Sequence, residues 1–96
     1  MAGIAERGGP LTERPETRLA RLRMRSWRRG TREMDLILGP FADTAMARLE
    51  PAEVDAYEAL VAENDQDLYL WISGRGEAPE AHRAIVDRIR AERGFA

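Results

Sequence analysis

The chain contains no cysteine. That excludes a disulfide framework, a thiolate nucleophile and a thiolate metal site, and it suits a reducing compartment. Lysine is also missing, so all 15 basic residues are arginine and no phosphate loop ending in lysine is possible. The single histidine, His82, has no second histidine or cysteine to share a metal with. A metal centre would need carboxylates, and no spacing of the acids suggests one. Glu63, Asp65 and Asp67 read as residues capping a helix junction, and His82 as a solvated or weakly packed helix residue. Ser26 and Ser73 lack the strand–turn–helix setting of a nucleophile elbow. No apolar run approaches the ~18 residues of a membrane span. The opening residues lack the apolar core of a secretory signal. Glu6, Glu13 and Glu16 argue against an organelle transit peptide, so the expected setting is cytoplasmic.

What remains is a 96-residue chain, 33% charged and 44% apolar, the size and balance of one small folded domain. Its net charge of −2 hides an asymmetry. Residues 1–33 hold nine arginines against four glutamates, whereas residues 34–96 hold six arginines against thirteen acids. Arginine keeps its charge and forks onto carboxylate or phosphate. A basic front on an acidic body points to an oriented binding surface. A compositional preference for arginine on a solvated helix face accounts for the same excess.

Helical periodicity runs through the whole chain after a Gly- and Pro-bearing stretch over residues 1–17, which reads as a disordered tail. A first helix is predicted from Arg18 to Arg28, with Ala20, Met24 and Trp27 as its apolar stripe and Leu19 and Leu22 beside it. Gly30 stops it. A second runs from Thr31 to about Arg48 on Met34, Ile37, Leu38, Phe41 and Ala45, with a kink or short break at Gly39-Pro40. Pro51 and Glu53 open a third on Val54, Tyr57, Leu60 and Val61. Asn64-Asp65 end it and can cap a fourth, which turns Leu68, Trp71 and Ile72 inward and stops at Gly74 and Gly76. The fifth starts at Pro79-Glu80, lines one side with Ala81, Ile85 and Ile89, and ends at Gly94. No segment alternates with period two. The expected fold is all-α, a small bundle of about five short helices over residues 18–96. The expected core joins Leu19, Leu22 and Trp27 to the inward residues of the later helices.

The stretch Arg28-Arg29-Gly30-Thr31-Arg32-Glu33-Met34-Asp35 organises this pattern. Gly30 lets the backbone turn without a Cβ clash. Glu33 sits near the positive end of the second helix. Arg29 and Glu33 are four apart, so on a helix they project the same way. The expected result is an exposed, two-signed polar knob beside an apolar face. Truncating Arg29 or Glu33 should then cost under about 1 kcal/mol of folding. The plainest account of the knob is an internal ion pair at a helix start, worth about 0.3–0.5 kcal/mol.

With its context, this stretch resembles the small assembly factors that promote covalent FAD attachment to the flavoprotein subunit of succinate dehydrogenase. Their hallmark Arg-Gly-x-x-Glu is matched by Arg29, Gly30 and Glu33. Asp35 follows, then an apolar helix and Pro40-Phe41. Further on, Asp65-Gln66-Asp67-Leu68-Tyr69-Leu70-Trp71 matches the family's Asp-x-Asp-Leu-aromatic-x-Trp stretch before a glycine turn. The likeness covers about residues 18–93. It implies a helical bundle that is not an enzyme and binds no cofactor or metal of its own. Flavinylation would occur in the partner, where a histidine attacks an activated FAD methyl group. The implied partner is the flavoprotein subunit of succinate dehydrogenase, or of fumarate reductase. The implied partner-binding residues are Arg29, Gly30, Glu33 and Asp35. Two other classes fit the residues less well. A nucleic-acid binder would use the basic Arg18–Arg32 stretch around Trp27, but the acidic body repels phosphate. A helical enzyme of chorismate-mutase type would need an arginine-lined cleft that cannot be traced from the helix faces.

Overall fold

A computed structural model describes residues 13–95. Among the described residues, five α-helices follow one another: α1 Pro15–Trp27, α2 Arg32–Thr44, α3 Pro51–Leu60, α4 Asp65–Ser73 and α5 Glu80–Arg93. A 3-10 turn, Met46–Arg48, links α2 to α3. There is no strand among the described residues. The fold is all-α, as the periodicity predicts.

Local chemistry explains the boundaries. Pro15 opens α1, where its missing N–H is no loss. The helix therefore starts three residues before the expected Arg18, and Pro15 to Thr17 are helix rather than tail. Residues 13 and 14 precede the helix, and residues 1–12 of that expected tail lie outside the described residues. Thr31 caps α2, its hydroxyl accepting from the Met34 amide at 3.3 Å. Glu50 and Glu53 bracket the start of α3, with the Glu50 amide donating to Glu53 Oε1 at 2.8 Å. Asn64 Oδ1 accepts from the Asp67 amide at 2.9 Å and starts α4. Gly74, at φ +84°, ends α4 in the left-handed region.

Helix α1 packs chiefly on α2, and α5 lies against α2, α3 and α4. The buried centre includes Leu22, Leu38, Phe41, Tyr57, Leu60, Leu68, Ile72 and Ile89. Phe41 and Tyr57 meet with ring centroids 5.3 Å apart.

Three expectations are corrected. Of the kink or short break expected at Gly39-Pro40, the break does not occur, and α2 runs through to Thr44, short of the expected Arg48. Pro40 still removes the bond to the Leu36 carbonyl. Arg93 Nη2 from α5 approaches that oxygen at 3.5 Å. The inward stripe of α1 is Leu19, Leu22 and Ser26, not Ala20, Met24 and Trp27. Met24 is 54% and Trp27 39% exposed. Trp27 lies over Gly39, where a Cβ would come within 2.3 Å of its ring, and its indole N–H donates to Asp43 Oδ2 at 3.2 Å. The buried slot goes to Ser26, whose hydroxyl bonds the Leu22 carbonyl at 2.7 Å and the Tyr57 hydroxyl at 2.6 Å. Burial pushes Tyr57 up to about 12, against the opposing pull of the Ser26 hydrogen bond and the Arg29 charge. Lastly, Ala81 on α5 is exposed. Among the described residues, nineteen hydrophobic ones are buried, from Leu22 on α1 to Ile89 on α5, and they close one core.

Candidate functional site

The α1–α2 turn is built by four residues with separate jobs. Gly30 stands at φ +101°, a conformation that side chains with a Cβ rarely adopt. Before it, the Arg29 amide donates to Asp35 Oδ1 at 2.7 Å. After it, Thr31 caps α2. Both contacts fix the backbone on either side of the glycine.

The Arg29 side chain does not join an exposed knob. Only 8% of it is exposed. Its Nε donates to Asp65 Oδ1 at 2.9 Å, Nη1 to the Val61 carbonyl at 2.8 Å and Nη2 to the Glu63 carbonyl at 3.0 Å. Val61 and Glu63 lie just past the end of α3, where carbonyls lack helical partners. Asp65 is the first residue of α4. One guanidinium therefore ties the α1–α2 turn to the α3–α4 junction. The expected pairing of Arg29 with Glu33 does not form, because Arg29 precedes α2 and turns inward. Glu33 stays exposed and has no hydrogen-bond or ion-pair partner among the described residues. The sequence reading missed Asp65 as the partner of Arg29. The pair is 36 residues apart, and no local spacing signals it.

Beside the turn lies an open groove of about 510 Å³, lined by Thr31, Glu33, Met34, Asp65, Gln66, Tyr69 and Leu70. One wall is the first turn of α2 and the other is α4. Its floor is apolar and its only ionisable carboxylates are Glu33 and Asp65. Leu70 is 43% exposed, and Leu36, three residues beyond Glu33 on α2, is 49% exposed. Tyr69 carries the Arg75 guanidinium 5.9 Å above its ring. Of the four residues expected at the site, Gly30 and Glu33 face outward, Asp35 is half-buried and braces the turn, and Arg29 is inside. His82 is not solvated as expected: its side chain is 12% exposed, Nε2 lies 3.1 Å from Glu63 Oε2, and its ring meets Trp71 at 5.7 Å. Among the described residues no cluster of three or more acids and histidines is arranged to hold a metal. No helix there is long and apolar enough to cross a membrane.

The all-helical scaffold thus sets a braced turn beside an open, mainly apolar groove. The chain belongs to the family described as the flavinator of succinate dehydrogenase, which it matches over residues 20–93. It is 38% identical over 63 residues to the FAD assembly factor SdhE of Aliivibrio fischeri, covering 65% of this chain and 73% of that one. The FAD assembly factor SdhE of Photobacterium profundum is 37% identical over 65 residues, with 67% of this chain and 74% of that one covered. The mitochondrial succinate dehydrogenase assembly factor 2 of Mycosarcoma maydis is 38% identical over 68 residues, 71% of this chain. The chain spans 29% of that fungal protein's length. No solved structure matches it significantly.

Proposed function

We propose that this chain is an assembly factor that binds the flavoprotein subunit of succinate dehydrogenase, or of fumarate reductase, and promotes covalent attachment of FAD to it. The observation that carries this reading is the family match across residues 20–93, joined to an outward Gly30–Glu33 turn beside an open groove. Gly30 permits close backbone approach, Glu33 offers an unpaired carboxylate, and Met34, Tyr69 and Leu70 offer apolar area. The cofactor stays with the partner. The charged lining of the groove is Glu33 and Asp65, which repel a pyrophosphate. In this reading the factor is no enzyme; it holds the partner's attachment site in a competent arrangement. Its setting is cytoplasmic, in keeping with the absence of cysteine and the bacterial relatives of similar reach.

The test mixes purified apo-flavoprotein subunit, FAD and the factor, and reads covalent flavin by fluorescence in a denaturing gel. The expected result is faster or fuller flavinylation with the factor. Equal yields with and without it would refute the reading.

A further inference from the structure

The motif's arginine and glutamate point in opposite directions, and the difference identifies a residue outside the motif. Arg29 spends its side-chain contacts inside the protein, on Asp65 Oδ1 and the carbonyls of Val61 and Glu63. Asp65 thus carries the charge opposite Arg29, with 15% of its own side chain exposed. Its other oxygen, Oδ2, stands 4.0 Å from where a Cβ on Gly30 would be. Asp65 also lines the groove. Asp65 therefore holds Arg29, stands next to the glycine turn and lines the groove.

We infer that Asp65 is a positioning residue of the partner-docking surface, acting through Arg29. This deepens the proposed function and rests on it. Asp65 orients the guanidinium. The guanidinium then ties the turn to the α3–α4 junction, so that Gly30 keeps its left-handed conformation and Glu33 is aimed outward. A carboxylate fits this task because it accepts from Nε while the two terminal nitrogens are left for backbone carbonyls. The motif thereby divides: Gly30 and Glu33 meet the partner, and Arg29 with Asp65 sets their geometry.

The test titrates the factor against apo-flavoprotein subunit and FAD, reading the half-saturating factor concentration and the plateau of covalent flavin. Asp65→Ala should raise the half-saturating concentration about tenfold, the effect of losing one charge-assisted hydrogen bond, and leave the plateau unchanged. Asp65→Asn keeps an acceptor for Nε and should recover most of that loss. In an Arg29→Ala background, Asp65→Ala should add nothing, because the path through Arg29 is already cut. Hydrogen exchange supplies an independent readout: Asp65→Ala should speed exchange at the Arg29 and Met34 amides. A folded Asp65→Ala with unchanged half-saturation overturns the inference. So does additivity with Arg29→Ala, which would mean that Asp65 touches the partner directly. If circular dichroism finds Asp65→Ala unfolded, Asp65→Ser replaces it. Unfolding there too makes Asp65 a purely structural residue and overturns the inference. If the wild-type factor gives no flavinylation, the proposed function falls, while the exchange readout still decides whether Asp65 positions the turn.

Discussion

Two sets of arginine–carboxylate contacts tie the N-terminal part of this protein to its middle, and they differ in what surrounds them. Along α1, Arg18 bonds Glu58 and Asp55 at 2.8 Å each, and Arg21 bonds Glu13 at 2.8 Å and Glu58 at 2.9 Å. The side chains of Asp55, Arg21 and Glu58 are 70%, 41% and 37% exposed, those of Arg18 and Glu13 less so at 25% and 12%. Water can replace those bonds at little cost. At the end of α1, Arg29 makes one ion pair and two bonds to carbonyls that no helix satisfies, with 8% of its side chain exposed. There water cannot step in as readily, and loss of the guanidinium strands a carboxylate and two carbonyls. The α5 residue Arg90 shares only the backbone half of the second arrangement, bonding carbonyls and no carboxylate. It donates to the Ile72 carbonyl at 2.9 Å, near the end of α4. In a chain whose only bases are arginines, the worth of each depends on whether it finishes a backbone or decorates a surface.

Among these arginines, the largest expected effect breaks the buried member. Arg29→Ala should cost about 3 kcal/mol, read as a lowered midpoint in urea unfolding. That is close to the about 3–5 kcal/mol expected for Phe41→Ala in the core. It also replaces the cost of under about 1 kcal/mol that an exposed knob implies. A value below about 1 kcal/mol would place Arg29 with the surface group.

Gly30→Ala comes next, at about 1–2 kcal/mol. The residue is exposed and no neighbour crowds a Cβ within 4.0 Å, so the cost is backbone conformation rather than collision. Gly39→Ala differs in cause, because its Cβ would strike the Trp27 ring. Indole fluorescence should shift in the Gly39 variant and stay unchanged in the Gly30 variant.

Glu58→Gln sharpens the surface side of the comparison. It should cost under about 1 kcal/mol at neutral pH, and the cost should shrink in high salt. The acid limb of a stability–pH curve tests the same network. Burial would raise the Glu58 carboxyl, but hydrogen bonds from Arg21 and Arg18 outweigh it and hold it below the ordinary 4.5. Glu13 is lowered chiefly by its hydrogen bond from Arg21, and Glu92 by its bond from Arg48. Carboxyls lowered in the folded state stabilise it above their unfolded values and lose that contribution as pH falls through the folded ones. Stability should therefore decline below about pH 4. Glu58→Gln should flatten that decline.

The smallest effect on stability belongs to Glu33→Ala, expected within about 0.5 kcal/mol of wild type. In cells at normal factor levels, the same variant should lower covalent flavin in the partner subunit. Full flavinylation with a folded Glu33→Ala protein would remove this carboxylate from the docking surface.

Much of this was legible in the residues. Pro51, Asn64, Gly74, Pro79 and Gly94 mark helix ends because capping and backbone restriction act within a few residues. The stripe Met34, Ile37, Leu38 and Phe41 is buried as its period requires. The motif Arg29, Gly30 and Glu33 falls on the α1–α2 turn and the first turn of α2, beside the groove. Misreadings came where a polar residue took a core place or an aromatic one did not. Ser26 is buried because Tyr57 meets its hydroxyl, and Trp27 is half-exposed because Gly39 gives its ring a flat seat. Neither partner is near in sequence.

By itself, then, the sequence determined the five described helices, most of their ends and most of the core, because periodicity, capping and left-handed glycines are local properties of the chain. Only the tertiary structure decided which way the motif's side chains face. Arg29 could meet solvent or the interior with equal local propriety. It turns inward because folding brings Asp65 and the loose carbonyls of Val61 and Glu63 within 3.0 Å of its guanidinium. Glu33 is left outside because no cation is brought to it.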